Sequence, residues 1–200
     1  MRSTLDKLIS WTGLLLALVL LVAGGLLFWG SSFIGNEVDK QLSDQKIVMP
    51  TDEVIDAQVE EGRISEADGK VLKEHAGSEM NTGAEAKAYA DHYILPHTMA
   101  ATGGETYATL GDKQREVCPA AGTDEEPSDE CNAVTAQRNT AQTGSTLRGL
   151  LLYGYAFATM GTIAGIAAYA AFAAALLFLV LGVLGLRHAK QVEANTPRTA

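Results

Sequence analysis

Two apolar runs, Leu8 to Gly30 and Gly149 to Leu186, enclose an acidic stretch of more than a hundred residues. This division predicts an all-α membrane protein with two transmembrane helices and a mainly helical, loop-rich extracytoplasmic domain. The expected segments are a cytoplasmic N-terminus over 1–7, a first span over 8–30, an acidic domain over 31–148, a long second helix over 149–186 and a cytoplasmic tail over 187–200.

Charge orients the chain. Residues 31–148 carry 22 acidic and 10 basic side chains, whereas the two ends carry Arg2, Lys7, Arg187, Lys190 and Arg198 against Asp6 and Glu193. Basic residues flanking both runs on the same side place both termini in the cytoplasm, with the main domain outside the plasma membrane. An acidic domain repels nucleic acid and anionic headgroups, so no nucleic-acid partner is expected. It suits a basic protein surface or a cation.

The first run has a basic start and resembles a signal sequence, but its apolar core is long for one and no A-x-A site follows it. The expectation is an uncleaved anchor. Trp11 and Trp29 stand about 27 Å apart at helical rise, matching two interfacial aromatic belts. The second run is too long for one span, since its 38 residues reach roughly 57 Å against a hydrocarbon layer of about 30 Å. Placing 165–186 in the membrane leaves 149–164 projecting outward as a helix apolar nearly all round. Such a surface needs cover, from the chain's own domain or from a partner.

Small residues recur along the second run at Gly154, Ala158, Gly161, Gly165 and Ala168, and along the first at Gly13, Ala17 and Gly24. They let helix backbones approach closely where no hydrophobic effect operates. Two uses remain open, the spans packing on each other or a face for another subunit.

Between the runs, helices are expected from Thr51 to Gly62 and from Ser65, whose Asp68 completes a capping-box pattern. The Gly-broken stretch from Arg63 to Gly83 is expected to be loop-rich and exposed. A further helix runs from about Ala84 to Thr102, kinked at Pro96 and stopped by Gly103 and Gly104. Cys118 and Cys131 flank a loop of turn formers and acids and are expected to form a structural disulfide in an oxidising compartment.

Candidate chemistry is confined to His92 and His97, with Asp91, Met99 and Glu105 nearby. Two histidines with a carboxylate or a methionine match iron or copper ligand sets. Five residues apart on an unbroken helix, however, the two rings point about 140° away from each other. No nucleophile elbow, phosphate loop or H-E-x-x-H pattern is present. The expectation is a protein without catalytic residues or cofactor, an extracytoplasmic metal-binding protein or metal-dependent enzyme using His92 and His97 being the alternative.

The stretch Tyr89-Ala-Asp-His-Tyr-Ile-Leu-Pro-His97-Thr-Met-Ala-Ala-Thr-Gly-Gly-Glu-Thr-Tyr-Ala-Thr-Leu110, followed by Thr146-Leu-Arg-Gly-Leu-Leu-Leu-Tyr153, resembles a group of small actinobacterial membrane proteins with two spans. Its core is H-x-x-x-A-T-G-G-x-T-Y-A-x-L. The group is often labelled as aromatic ring-opening dioxygenases, which implies an iron site outside the cytoplasm that His92 and His97 do not complete. The architecture is also similar to accessory subunits of the actinobacterial cytochrome bcc-aa3 respiratory supercomplex. That likeness implies a role in electron transport as a non-catalytic subunit among integral membrane partners.

Overall fold

The computed structural model describes residues 2–120, 122 and 124–194; Arg198 and the end of the tail, 195–200, lie outside the described residues. The elements are helical: α1 (Arg2–Ser43), α2 (Asp52–Glu60), α3 (Glu66–Lys73), α4 (Gly83–Tyr89), a π-helical turn (Ala90–Ile94), α5 (Leu95–Ala101), α6 (Tyr107–Val117) and α7 (Asp129–Ala194). Among the described residues the β-structure is one antiparallel bridge, Val48 to Glu79. The chain forms two units, Met1–Asn36 with Thr159–Ala200, and Glu37–Ala158.

The first unit is an antiparallel pair made by α1 and the later part of α7. Both helices are long and apolar enough to cross a membrane. Their seam follows the small residues. An added Cβ at Gly161 would lie 3.1 Å from Ile34, at Gly165 2.8 Å from Ser31 Oγ, and at Gly24 2.8 Å from the Phe172 ring. Gly13 faces the Phe178 carbonyl, and Ala17, Ala168 and Ala175 are fully buried. Phe28 meets Tyr169 edge-on, and at the opposite end Lys7 pairs with Glu193 at 2.7 Å. Small side chains at the seam leave the large ones outside it. Leu8, Leu15, Leu26, Ile166 and Leu176 are each about two-thirds exposed on the pair's outer faces.

The second unit packs short helices around a core of Leu42, Met49, Ile55, Ile64, Leu72 and Met80, closed by the alanines of α4 and by Leu151 of α7. Helices of seven to eleven residues are marginal alone, so packing and caps carry them. Ser65 with Asp68, Thr82 with Glu85 and Thr106 with Thr109 each form a reciprocal capping box. The 47–49 and 78–80 segments meet through Met49 N–H to Ser78 O and Met80 N–H to Ile47 O. At the first residue of α4 an added Cβ would fall 2.5 Å from Ala158 Cβ and 3.1 Å from Tyr155 Cα, so only glycine lets α4 sit against α7 there.

Three sequence expectations change. Arg63 to Gly83 holds the expected helix from Ser65, α3, but is not an exposed loop around it: it contributes Ile64, Leu72 and Met80 to the core, because its glycines punctuate short elements rather than dissolve them. α6 has no counterpart in the sequence reading. The second long helix begins at Asp129 rather than near Gly149; its first turns are polar, yet no proline interrupts them, and Ser128 caps them through Cys131 N–H. The helix from Gly83 to Ala101 passes Pro96 through a π turn. Proline has no N–H to donate and its ring would clash with the carbonyl four residues back. The wider turn, closed by Leu95 N–H on Ala90 O, relieves that conflict.

Candidate functional site

The two histidines serve different neighbours. His92 leaves the π turn toward α3, its Nδ1 2.7 Å from Asp68 Oδ1. That carboxylate also accepts the Ser65 hydroxyl and backbone N–H of its own capping box. Burial pushes the Asp68 carboxyl up, but the Ser65 and His92 hydrogen bonds outweigh it and hold it below the ordinary aspartate range. His97 turns the other way. It stacks on Tyr93, which stacks on Tyr89, with ring centroids 4.4 and 4.7 Å apart, and its Nδ1 lies 2.6 Å from Tyr93 O. Since that carbonyl can only accept, the bond puts the proton on Nδ1. Among the described residues no three His, Cys, Asp or Glu side chains are grouped to hold a metal ion.

Asp91, next to His92, is the electrostatic link within the second unit. It receives Arg148 Nη2 at 2.9 Å and Lys87 Nζ at 2.5 Å, tying the π turn to α7. Burial raises its pKa, but the hydrogen bonds and charges of Lys87 and Arg148 more than reverse that and hold it below the ordinary aspartate range. Further along α7, the Arg138 guanidinium lies 4.3 Å above the Tyr107 ring and donates to Gln114 Oε1 at 2.6 Å, which docks α6. Cys118 and Cys131 form a disulfide beside this contact, with Cα atoms 4.9 Å apart. Replacing both by Ser is expected to destabilise the second unit by about 3 kcal/mol through lost loop closure, read as a lower urea midpoint that reductant no longer shifts.

The surface of α7 in this unit is asymmetric. One side is covered: Leu151 is buried, Gly154 lies against Leu42 and Ala158 against Gly83. The other side presents Leu150, Tyr153 and Phe157, at helical spacing and 52 to 65% exposed. The chain's own domain therefore covers part of the apolar helix and leaves a continuous apolar face. Sequence reasoning had not seen the Asp91 clamp or the buried Glu85. The second carried a signal, since Thr82-Gly-Ala-Glu85 is itself a capping-box pattern. The first did not, because 57 residues separate Asp91 from Arg148.

Compared with protein-family models, with characterised proteins and with solved structures, the chain matches none.

Proposed function

We propose that this chain is a non-catalytic accessory subunit of a membrane protein complex, held in the bilayer by two spans, with both termini cytoplasmic and the acidic unit outside. The observation that carries the reading is the Leu150, Tyr153 and Phe157 face of α7. Exposed large side chains in register on one helix are anchors awaiting a partner, and aromatic residues dominate such contacts. The apolar outer faces of the helix pair support the bilayer. The disulfide supports an oxidising exterior for the second unit. Lys7, Arg187 and Lys190 near the ends of the pair support cytoplasmic termini.

The specific partner we propose is the respiratory cytochrome bcc-aa3 supercomplex, on the resemblance of architecture given above. Purification of the chain at native abundance in a gentle detergent, with identification of co-migrating proteins, tests it. Haem-bearing respiratory subunits are the expected companions, a different membrane complex would replace the specific partner, and a lone monomer would sink the reading. Metal content measured before and after changing His92 and His97 to Ala tests the competing chemistry; the expected result is no difference.

A further inference from the structure

A groove of about 510 Å³ opens along the first unit, between the start of α1 and the end of α7. Its deep walls are Leu16, Phe178 and Leu181, and its mouth carries Asp6, Ser10 and His188. From Asp6 to Leu16, and equally from Phe178 to His188, the walls run about 15 Å at helical rise, half of a hydrocarbon layer about 30 Å thick. The groove thus has the depth of one leaflet, apolar toward the bilayer centre and polar at the surface. The charge at its mouth is mixed. Lys7 and Glu193 satisfy each other at 2.7 Å, which leaves Asp6 on α1 facing a groove whose other polar wall is His188, flanked in sequence by exposed Arg187. A headgroup complementary to that mouth carries both signs, an anionic phosphate for the His188 and Arg187 side and a hydrogen-bond-donating cation for Asp6.

We propose that this groove seats one phospholipid of the cytoplasmic leaflet, an acyl chain lying along Leu16, Phe178 and Leu181 and a primary-ammonium headgroup, phosphatidylethanolamine, at Asp6. The inference rests on the two-span reading given above. A quaternary ammonium has no N–H for Asp6, and an anionic glycerol headgroup is repelled by it, so the ethanolamine lipid is selected over both. Gly13 borders the groove where it meets the seam: a Cβ there stands in ordinary contact with Phe178 O at 3.7 Å and Gly182 Cα at 4.0 Å, so the remainder of a larger side chain is expected to extend into the groove.

The test uses the full chain in vesicles of equal parts phosphatidylethanolamine, phosphatidylglycerol and phosphatidylcholine, then native mass spectrometry of the released protein. One ethanolamine lipid retained per chain, favoured roughly tenfold over phosphatidylcholine as one charge-assisted hydrogen bond allows, is the expected result. Asp6→Asn should erase the preference and keep a lipid. Gly13→Leu and, separately, Leu16→Trp should release the lipid, whereas Gly25→Leu, where an added Cβ meets nothing within 4 Å, should keep it. No retained lipid, retention that survives both plugs, equal retention of all three lipids, or a dimer that Gly13→Leu dissociates would each overturn the proposal. A chain stripped from the vesicles by alkaline carbonate overturns the two-span reading and this inference together. A chain that stays embedded with an empty groove overturns this inference alone.

Discussion

Glu85→Ala is expected to cost the second unit about 3 kcal/mol, because it removes the carboxylate on which several backbone and hydroxyl donors converge. Ser78 Oγ donates to Oε1 at 2.8 Å, while Asn81 N, Thr82 N and Thr82 Oγ1 donate to Oε2 at 3.0, 2.9 and 2.8 Å. The residue is buried, so water does not easily replace the lost acceptor. The carboxylate also does two jobs at once. It closes the capping box that starts α4, and through Ser78 it holds the 78–80 segment whose backbone pairs with 47–49. Urea unfolding of the full chain in micelles measures the loss. A change within 0.5 kcal/mol, the range of ordinary surface substitutions, would show that the network contributes nothing.

The same carboxylate sets a pH dependence whose sign follows from its environment. Burial raises the Glu85 pKa, and the donors from Asn81, Thr82 and Ser78 together lower it below the ordinary glutamate value of 4.5. Its contribution is therefore fully present above that ordinary value and is lost as pH falls through the lower value of the folded state. Asp68 and Asp91 titrate in the same sense. Glu85→Gln should flatten the part of the acid limb that Glu85 supplies and leave the neutral plateau lower throughout. A wild-type acid limb preserved in that variant would assign the acid sensitivity to the two aspartates alone.

Leu150→Glu combined with Tyr153→Ser is expected to free the chain from the proposed complex while leaving the chain's own stability nearly unchanged. Leu150 is 57% and Tyr153 65% exposed, so neither supports the second unit's core. An anchor at the centre of an interface is worth about 2 kcal/mol or more, near thirtyfold in affinity for each residue. Co-migration in gentle detergent should therefore vanish, with the urea midpoint held. Leu151→Ala is the counter-test. That side chain is buried beside Leu42, and its loss should lower stability by about 2 to 5 kcal/mol. If the exposed pair cost stability and spared association, the face would belong to the fold and not to a partner.

The long helices, the Ser65 and Asp68 cap and the cysteine bridge were legible because each rests on a local pattern: a sustained apolar run, an S-x-x-D spacing, two cysteines around a loop without apolar residues. The stretch from Asp129 to Arg148 was not. Its Asn, Thr and Gln residues have no apolar periodicity of their own, and the helix persists there because Gln114 and Tyr107 of α6 hold Arg138 from outside and Ala141 is buried. Long-range partners decide such segments. The separate surroundings of the two histidines were illegible for a related reason. Their geometry depends on a π turn that Pro96 provokes, and even there His92 is claimed by Asp68 and His97 by Tyr93.

The bridge between Cys118 and Cys131 also changes what a cut in the chain means. With its ends at a sequence separation of 13, it closes a ring that contains exposed Glu125 and Glu126. A glutamate-specific protease that nicks there severs the polypeptide without separating the products: one species persists under oxidising conditions and two appear on reduction. Because α6 and α7 stay covalently joined, the severed protein keeps its helices paired. New termini introduced at this loop should be tolerated for the same reason, which makes it the natural opening for a circularly permuted chain.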